Sequence, residues 1–212
     1  MPVLPRGLYA ITPEEPDTSR LLVLVSAALA GGATVVQYRN KNASPALRYE
    51  QARALAELCR AHHVPLIVND DVALAWKAGA DGVHIGADDG DLAAARQQLG
   101  SQSLLGASCY DRLDLAIAAK QAGADYVAFG SVFASPTKPS AVRAPLSLFA
   151  QARALEVPLC AIGGITAENA PALIRAGADM LAVVSDLFDA PDVTERARGY
   201  VRLFDSITVT SS

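Results

Sequence analysis

The tetrapeptide Ala-Gly-Ala-Asp recurs three times, at Ala78 to Asp81, Ala122 to Asp125 and Ala176 to Asp179, and a relative, Gly31-Gly32-Ala33-Thr34, stands earlier in the chain. Each copy follows a helix-like stretch and precedes an apolar run: Val35-Val36, Val83-His84-Ile85, Tyr126 to Phe129 and Met180 to Val184. The glycine suits the left-handed backbone just past a helix end, where a side chain meets a steric cost. Between these runs lie four more, Leu8 to Ile11, Leu66 to Val68, Leu104 to Ala107 and Leu159 to Ile162, so that eight strand candidates alternate with helix candidates. Eight βα units predict a closed parallel (β/α)8 barrel, the TIM barrel. An open doubly wound sheet is the alternative, but no Gly-x-Gly-x-x-Gly follows the first run. A chain of 212 residues suffices for one such barrel with short loops, so a single domain over 1–212 is expected, with 1–6 and 206–212 as loosely ordered ends.

Composition narrows the function classes. Hydrophobic residues make up 51% and charged residues 19%, which excludes a disordered chain. A net charge of -4 lacks the basic face that nucleic-acid binding requires. The longest apolar run, Leu21 to Ala30, falls far short of the roughly 20 residues that span a bilayer, and Met1 to Arg6 carries no secretory pattern. A cytoplasmic protein without membrane or nucleic-acid partners is therefore expected, with homo-oligomer formation left open. Cys59, Cys109 and Cys160 are too few and too widely spaced for a disulfide framework or a zinc site, and read as reduced, buried small hydrophobes.

Barrel enzymes build their sites at the carboxyl ends of the strands, and polar residues collect there in this sequence. Gln37-Tyr38-Arg39-Asn40-Lys41 follow the second run and Asn69-Asp70-Asp71 the third. In extended geometry Gln37, Arg39 and Lys41 share one side, presenting an amide and two cations to an anion. Asp88 and Asp89 follow the fourth run, Ser108 ends the fifth, and Ser135-Pro136-Thr137-Lys138 come after the sixth. Gly163-Gly164-Ile165-Thr166 follow the seventh and Ser185 the eighth, where such barrels frequently bind phosphate through backbone amides. Asp70 and Asp89 lie beyond adjacent strands and could share a magnesium ion or could cap helices; spacing alone leaves both readings open. Asp71 and Asp91 read as helix caps. Lys138 and Arg143 are two cations that spacing does not separate, in a stretch from Phe133 to Pro145 that is the longest candidate for a mobile flap. His62, His63 and His84 have no metal-ligand spacing and read as structural, and Trp76 and Tyr38 read as packing residues.

Taken together, Gln37 to Lys41, Asn69-Asp70-Asp71, Ser135 to Lys138 and Ala161-Ile162-Gly163-Gly164-Ile165 resemble the thiamine-phosphate synthase family, also called thiamine phosphate pyrophosphorylases, over nearly the whole chain. The resemblance implies a Mg2+-dependent transferase acting on two small-molecule substrates. It would join 4-amino-2-methyl-5-(diphosphomethyl)pyrimidine to a thiazole phosphate, releasing diphosphate. It implies that Gln37, Tyr38, Arg39, Asn40, Lys41, Asn69, Ser108 and Lys138 hold the pyrimidine diphosphate, with Arg39, Lys41, Ser108 and Lys138 catalytic. It further implies that Asp70 and Asp89 hold magnesium, and that Ser135, Pro136, Thr137, Gly164, Val184 and Ser185 hold the thiazole phosphate.

The chain departs from the family pattern at Gly86-Ala87, where Gly-Gln is usual, at Gly130-Ser131, where Gly-Pro is common, and at Ser135, which replaces a threonine. A thiazole tautomerase on the same barrel would have no use for the diphosphate grip. A non-catalytic precursor-binding protein could dispense with the metal carboxylates. Other phosphate-handling barrels, such as those of tryptophan biosynthesis, share only the fold.

Overall fold

In the computed structural model, which describes residues 4–86, 90–134 and 143–207, eight parallel strands pair in sequence order and close on themselves. They are β1 (Gly7–Ile11), β2 (Val35–Tyr38), β3 (Leu66–Asn69), β4 (Gly82–Ile85), β5 (Leu104–Ser108), β6 (Tyr126–Phe129), β7 (Leu159–Ile162) and β8 (Met180–Val183). Pairing of β8 with β1, Tyr9 opposite Ala182, closes the barrel and excludes the open sheet. The helices α1 (Thr18–Ala30), α2 (Pro45–Ala61), α3 (Val72–Ala78), α4 (Leu92–Leu99), α5 (Leu113–Gln121), α6 (Ser147–Ala152), α7 (Ala170–Ala176), α8 (Ser185–Phe188) and α9 (Val193–Ser206) follow the strands, and a single 3-10 turn extends α6. Among the described residues no helix is long and apolar enough to cross a membrane.

Strand alternation divides the core in two. Leu8, Val36, Val68, Val83, Leu105, Val127 and Leu181 face outward into the layer shared with the helices. Tyr9, Val35, Ile67, Leu104, Tyr126, Cys160 and Met180 fill the interior. Gly106 makes room for the largest of these, since a Cβ there would stand 2.1 Å from the Tyr126 ring.

The repeated tetrapeptide performs two local tasks. Gly79 and Gly177 end α3 and α7 with φ of 71° and 106°, the left-handed conformation that favours glycine. The aspartate that follows ties the amino end of the next strand to that of the preceding one. Asp81 accepts from Leu66 N at 2.8 Å, Asp125 from Leu105 N at 2.7 Å and Asp179 from Leu159 N at 2.9 Å. In the divergent copy Thr34 instead donates its hydroxyl to Leu8 O. These carboxylates sit at the end of the barrel opposite the polar strand ends, so the repeat frames one rim.

The caps expected at Asp71 and Asp91 are present, accepting from Leu74 N and Ala93 N. The three cysteines are free and buried. Trp76 departs from its expectation as a packing residue: it is 81% exposed. The short helix α3 buries Leu74, Ala75 and Ala78, which turns Trp76 and Lys77 toward solvent.

Candidate active site

At the carboxyl ends of β2 to β5 the expected residues separate into those turned to the barrel axis and those turned away. Gln37 is 3% exposed and points inward, its Nε2 donating to the Tyr9 hydroxyl at 2.8 Å. Arg39 lies on the rim, held through its backbone N–H on the Thr12 hydroxyl (2.9 Å) and through its guanidinium against Glu14 (3.2 Å). Lys41 reaches across to Asp70, Nζ to Oδ2 3.2 Å. Tyr38 and Asn40 point the other way. The Tyr38 hydroxyl and the Asn40 amide both donate to Oε1 of Gln51, a fully buried residue of α2. The two side chains thereby anchor the end of β2 to α2. Gln51, a polar residue in the buried stripe of α2, was the available signal for that anchor.

Asp70 is not the cap of α3, which is Asp71. Its φ is 62°, a left-handed backbone that Asp tolerates better than most residues. Its carboxylate accepts from Asn69 Nδ2 at 2.6 Å and from Gly86 N at 3.2 Å in addition to Lys41. Asn69 thus orients the carboxylate. Asp71, one residue on, is engaged by Arg48 and by its own helix.

Inside the barrel, below this rim, His84 links Tyr126 to Ser108. Nδ1 lies 3.0 Å from the Tyr126 hydroxyl and Nε2 lies 2.8 Å from Ser108 Oγ. Burial pushes the imidazole down to about 4, with the Asp70 charge opposing weakly, so the ring is neutral near pH 7. Burial pushes the Tyr9 and Tyr126 hydroxyls far up, so they act as neutral donors and acceptors. The structural reading of His84 holds for its hydrogen bonding, yet one of its two partners is a site candidate. Sequence reasoning had no means of pairing it with Tyr9 and Tyr126, which lie 75 and 42 positions away.

The opposite side of the mouth is made of backbone. Gly163 and Gly164 have φ of 101° and 63°, and a Cβ at Gly164 would stand 2.4 Å from the Ala134 carbonyl oxygen. The loop after β6 is therefore laid directly on the glycine turn, with Phe133 N donating to Gly163 O at 3.1 Å. Asn169, not singled out in the sequence, fixes the turn by donating to Gly164 O at 2.9 Å and accepting from Thr166 N at 2.9 Å. Val184 packs on the interior cluster and Ser185 opens α8, with Leu187 N and Phe188 N both donating to Val184 O. Asp186 is held away from the mouth by Arg196 and Tyr200 of α9.

Asp89, Ser135, Pro136, Thr137 and Lys138 lie outside the described residues. Arg143 is described and exposed. Among the described residues no group of three or more His, Cys, Asp or Glu side chains could hold a metal ion. Burial pushes the Cys59 and Cys109 thiols up to about 12 and raises Cys160 further. None is an activated nucleophile.

A closed (β/α)8 barrel with cations, a carboxylate and a glycine turn gathered at its carboxyl rim defines the TIM-barrel class, whose members build their sites at that rim. The profile of the thiamine monophosphate synthase family matches residues 8–187. The thiamine-phosphate synthase of Thiobacillus denitrificans is 60% identical over 205 residues, covering 96% of this chain and 97% of its own. That of Chromobacterium violaceum is 56% identical over 204 residues, covering 96% and 99%. Among solved structures, the thiamine phosphate pyrophosphorylase of Pyrococcus furiosus superposes with a TM-score of 0.83 at 33% identity, covering 94% of this chain and 96% of its own. The chain belongs to the thiamine monophosphate synthase family and is a transferase.

Proposed function

We propose that the chain transfers the pyrimidinylmethyl group of 4-amino-2-methyl-5-(diphosphomethyl)pyrimidine to the nitrogen of a thiazole phosphate, giving thiamine phosphate and diphosphate. The observation that carries this reading is the two-sided mouth. Cations, amides and Asp70 lie on the β2 to β5 side, and a glycine turn and helix start lie on the β7 to β8 side, so that two anionic substrates can meet over the barrel axis.

In the reaction the bond from the methylene carbon to the diphosphate oxygen breaks, and diphosphate leaves with the electron pair. The thiazole nitrogen then donates its lone pair to the methylene carbon. Negative charge grows on the leaving group, so Arg39, Lys41 and Lys138 stabilise the transition state more than the bound substrate. Ser108 and Asn69 supply neutral contacts to the pyrimidine diphosphate. Gln37 at the base of the mouth orients the aminopyrimidine. Gly164 and Ser185 offer backbone amides to the thiazole phosphate, with Ser135 to Thr137 completing that subsite. No protein nucleophile is required, consistent with three thiols held protonated by burial.

Magnesium would be held by Asp70 and Asp89 and would supply positive charge to the departing diphosphate. Asp70 suits such an ion: it is a hard oxygen donor, its side chain is 22% exposed at the rim, and Asn69 and Gly86 fix its orientation.

The division into two subsites is testable by binding each substrate separately in a calorimeter. Lys41→Ala is expected to weaken the pyrimidine diphosphate by roughly tenfold or more while leaving thiazole phosphate unchanged. Gly164→Ala, which drives a methyl group into Ala134, should show the reverse. Loss of both ligands in either folded variant would overturn the two-sided arrangement.

A further inference from the structure

Five side chains from five strands form one continuous hydrogen-bonded line through the barrel. Gln37 of β2 donates to Tyr9 of β1 at 2.8 Å, and Tyr9 meets Tyr126 of β6 at 2.7 Å. Tyr126 meets Nδ1 of His84 in β4 at 3.0 Å, and Nε2 meets Ser108 of β5 at 2.8 Å. Tyr9, Tyr126 and His84 are 1%, 0% and 7% exposed, so bulk solvent does not relieve a misdirected proton. Apolar residues, among them Val35, Ile67, Leu104 and Met180, surround the line.

Each internal member passes direction along. A phenol with two partners in line has one proton and must donate to one and accept from the other. A neutral imidazole likewise has one N–H and one bare nitrogen. Any break in sense leaves a buried donor without an acceptor or sets two donors face to face, which the dry interior penalises. The line therefore runs in one of two senses. With the Gln37 amide donating to Tyr9, Tyr9 donates to Tyr126, Tyr126 donates to Nδ1, and Nε2–H donates to Ser108. That leaves the Gln37 carbonyl, its second amide N–H and the Ser108 hydroxyl proton for ligand. Turning the Gln37 amide over reverses every bond.

We infer that this line is a directional relay coupling the two ends of the pyrimidine diphosphate subsite, so that Gln37 accepts from the ligand only when Ser108 donates to it. A ligand with an amine at one end and an anionic oxygen at the other satisfies the sense in which Gln37 donates to Tyr9, and a ligand with those groups exchanged does not. The inference rests on the proposed function for the identity of the ligand, and makes Tyr9, Tyr126 and His84 positioning residues.

The test is the tautomer of His84 read by 15N NMR on the ligand-free protein, where protonated and bare ring nitrogens resonate far apart. The wild type is expected to carry its proton on Nε2. Gln37→Glu, at a pH where the carboxyl 13C shift reports an ionised group, can only accept from Tyr9 and should move the proton to Nδ1. In Tyr9→Phe the line is cut, and adding Gln37→Glu should leave the tautomer as it is in Tyr9→Phe alone. In turnover, Tyr9→Phe should lower kcat/KM for the pyrimidine diphosphate about tenfold with KM for thiazole phosphate unchanged. A wild-type proton on Nδ1, an ionised Gln37→Glu without the switch, or a switch that survives Tyr9→Phe would each overturn the relay. Should Gln37→Glu not fold, Tyr9→Phe alone is expected to populate both tautomers, and a single unchanged tautomer would overturn the coupling. Because the tautomer is read without substrate, absence of turnover alongside the expected switch would contradict the substrate reading and spare the relay.

Discussion

Asp70 shows how much one residue of the rim carries. It is the single described position where a left-handed backbone, an oriented carboxylate and a cation from a neighbouring strand end coincide. Asp70→Asn preserves the shape and the backbone preference while removing the charge, so the fold should survive. Turnover is expected to fall about 100-fold or more, as when one preorganised electrostatic group is lost; steady-state kinetics alongside thermal melting checks this. His84 carries a stability prediction. Its folded pKa is depressed to about 4, so between about 6.5 and about 4 the unfolded chain binds a proton that the native chain does not, and stability falls as pH is lowered through that window. Above it the contribution is complete. Urea titrations should show wild type losing about 1.4 kcal/mol per pH unit more than His84→Asn across the middle of the window. Equal slopes would mean the imidazole is solvated. At this scale the sequence yielded the sidedness of Gln37, Arg39 and Lys41 and the caps at Asp71 and Asp91. It could not yield the inner line, because its bonded residues, 24 to 117 positions apart, meet only once the barrel closes.

The elements are held at their amino ends by the repeated aspartates. Asp125 is the best buried of these clamps: its side chain is 10% exposed and it joins Leu105 N to Arg96. Asp125→Ala removes a charged acceptor from a part-buried backbone donor and leaves Arg96 without its carboxylate. A loss of about 2 kcal/mol in unfolding free energy is expected by denaturant titration, with kcat unchanged because the clamp lies at the far end of the barrel. A drop in kcat at full stability would mean the two rims communicate. The repeat that announced the fold thus stabilises it directly. Its helix and strand boundaries were legible to within a residue or two for this reason: a left-handed glycine and a strand-binding aspartate mark each junction chemically. Trp76 was misread because a seven-residue helix buries one narrow face, and which face that is depends on the neighbouring helix rather than on the residue itself.

For the molecule as a whole, the aspartate clamps and the proposed site lie on opposite rims. The eight-unit count predicted closure, and pairing of β8 with β1 realises it. The two sides of the mouth were legible as polar punctuation after apolar runs, since a strand buried on both faces has no packing reason to end in charge. The supports behind them, Gln51 and Asn169, were not, because an amide inside a helix pattern gives no hint of the loop it will hold. The most direct test of the proposed activity is a stoichiometric assay of the purified protein with both substrates, measuring diphosphate and thiamine phosphate together, with magnesium and with a chelator. The account predicts equal amounts of the two products with magnesium and neither with chelator. Diphosphate without thiamine phosphate, or thiazole phosphate bound and released with no new carbon–nitrogen bond, would contradict it.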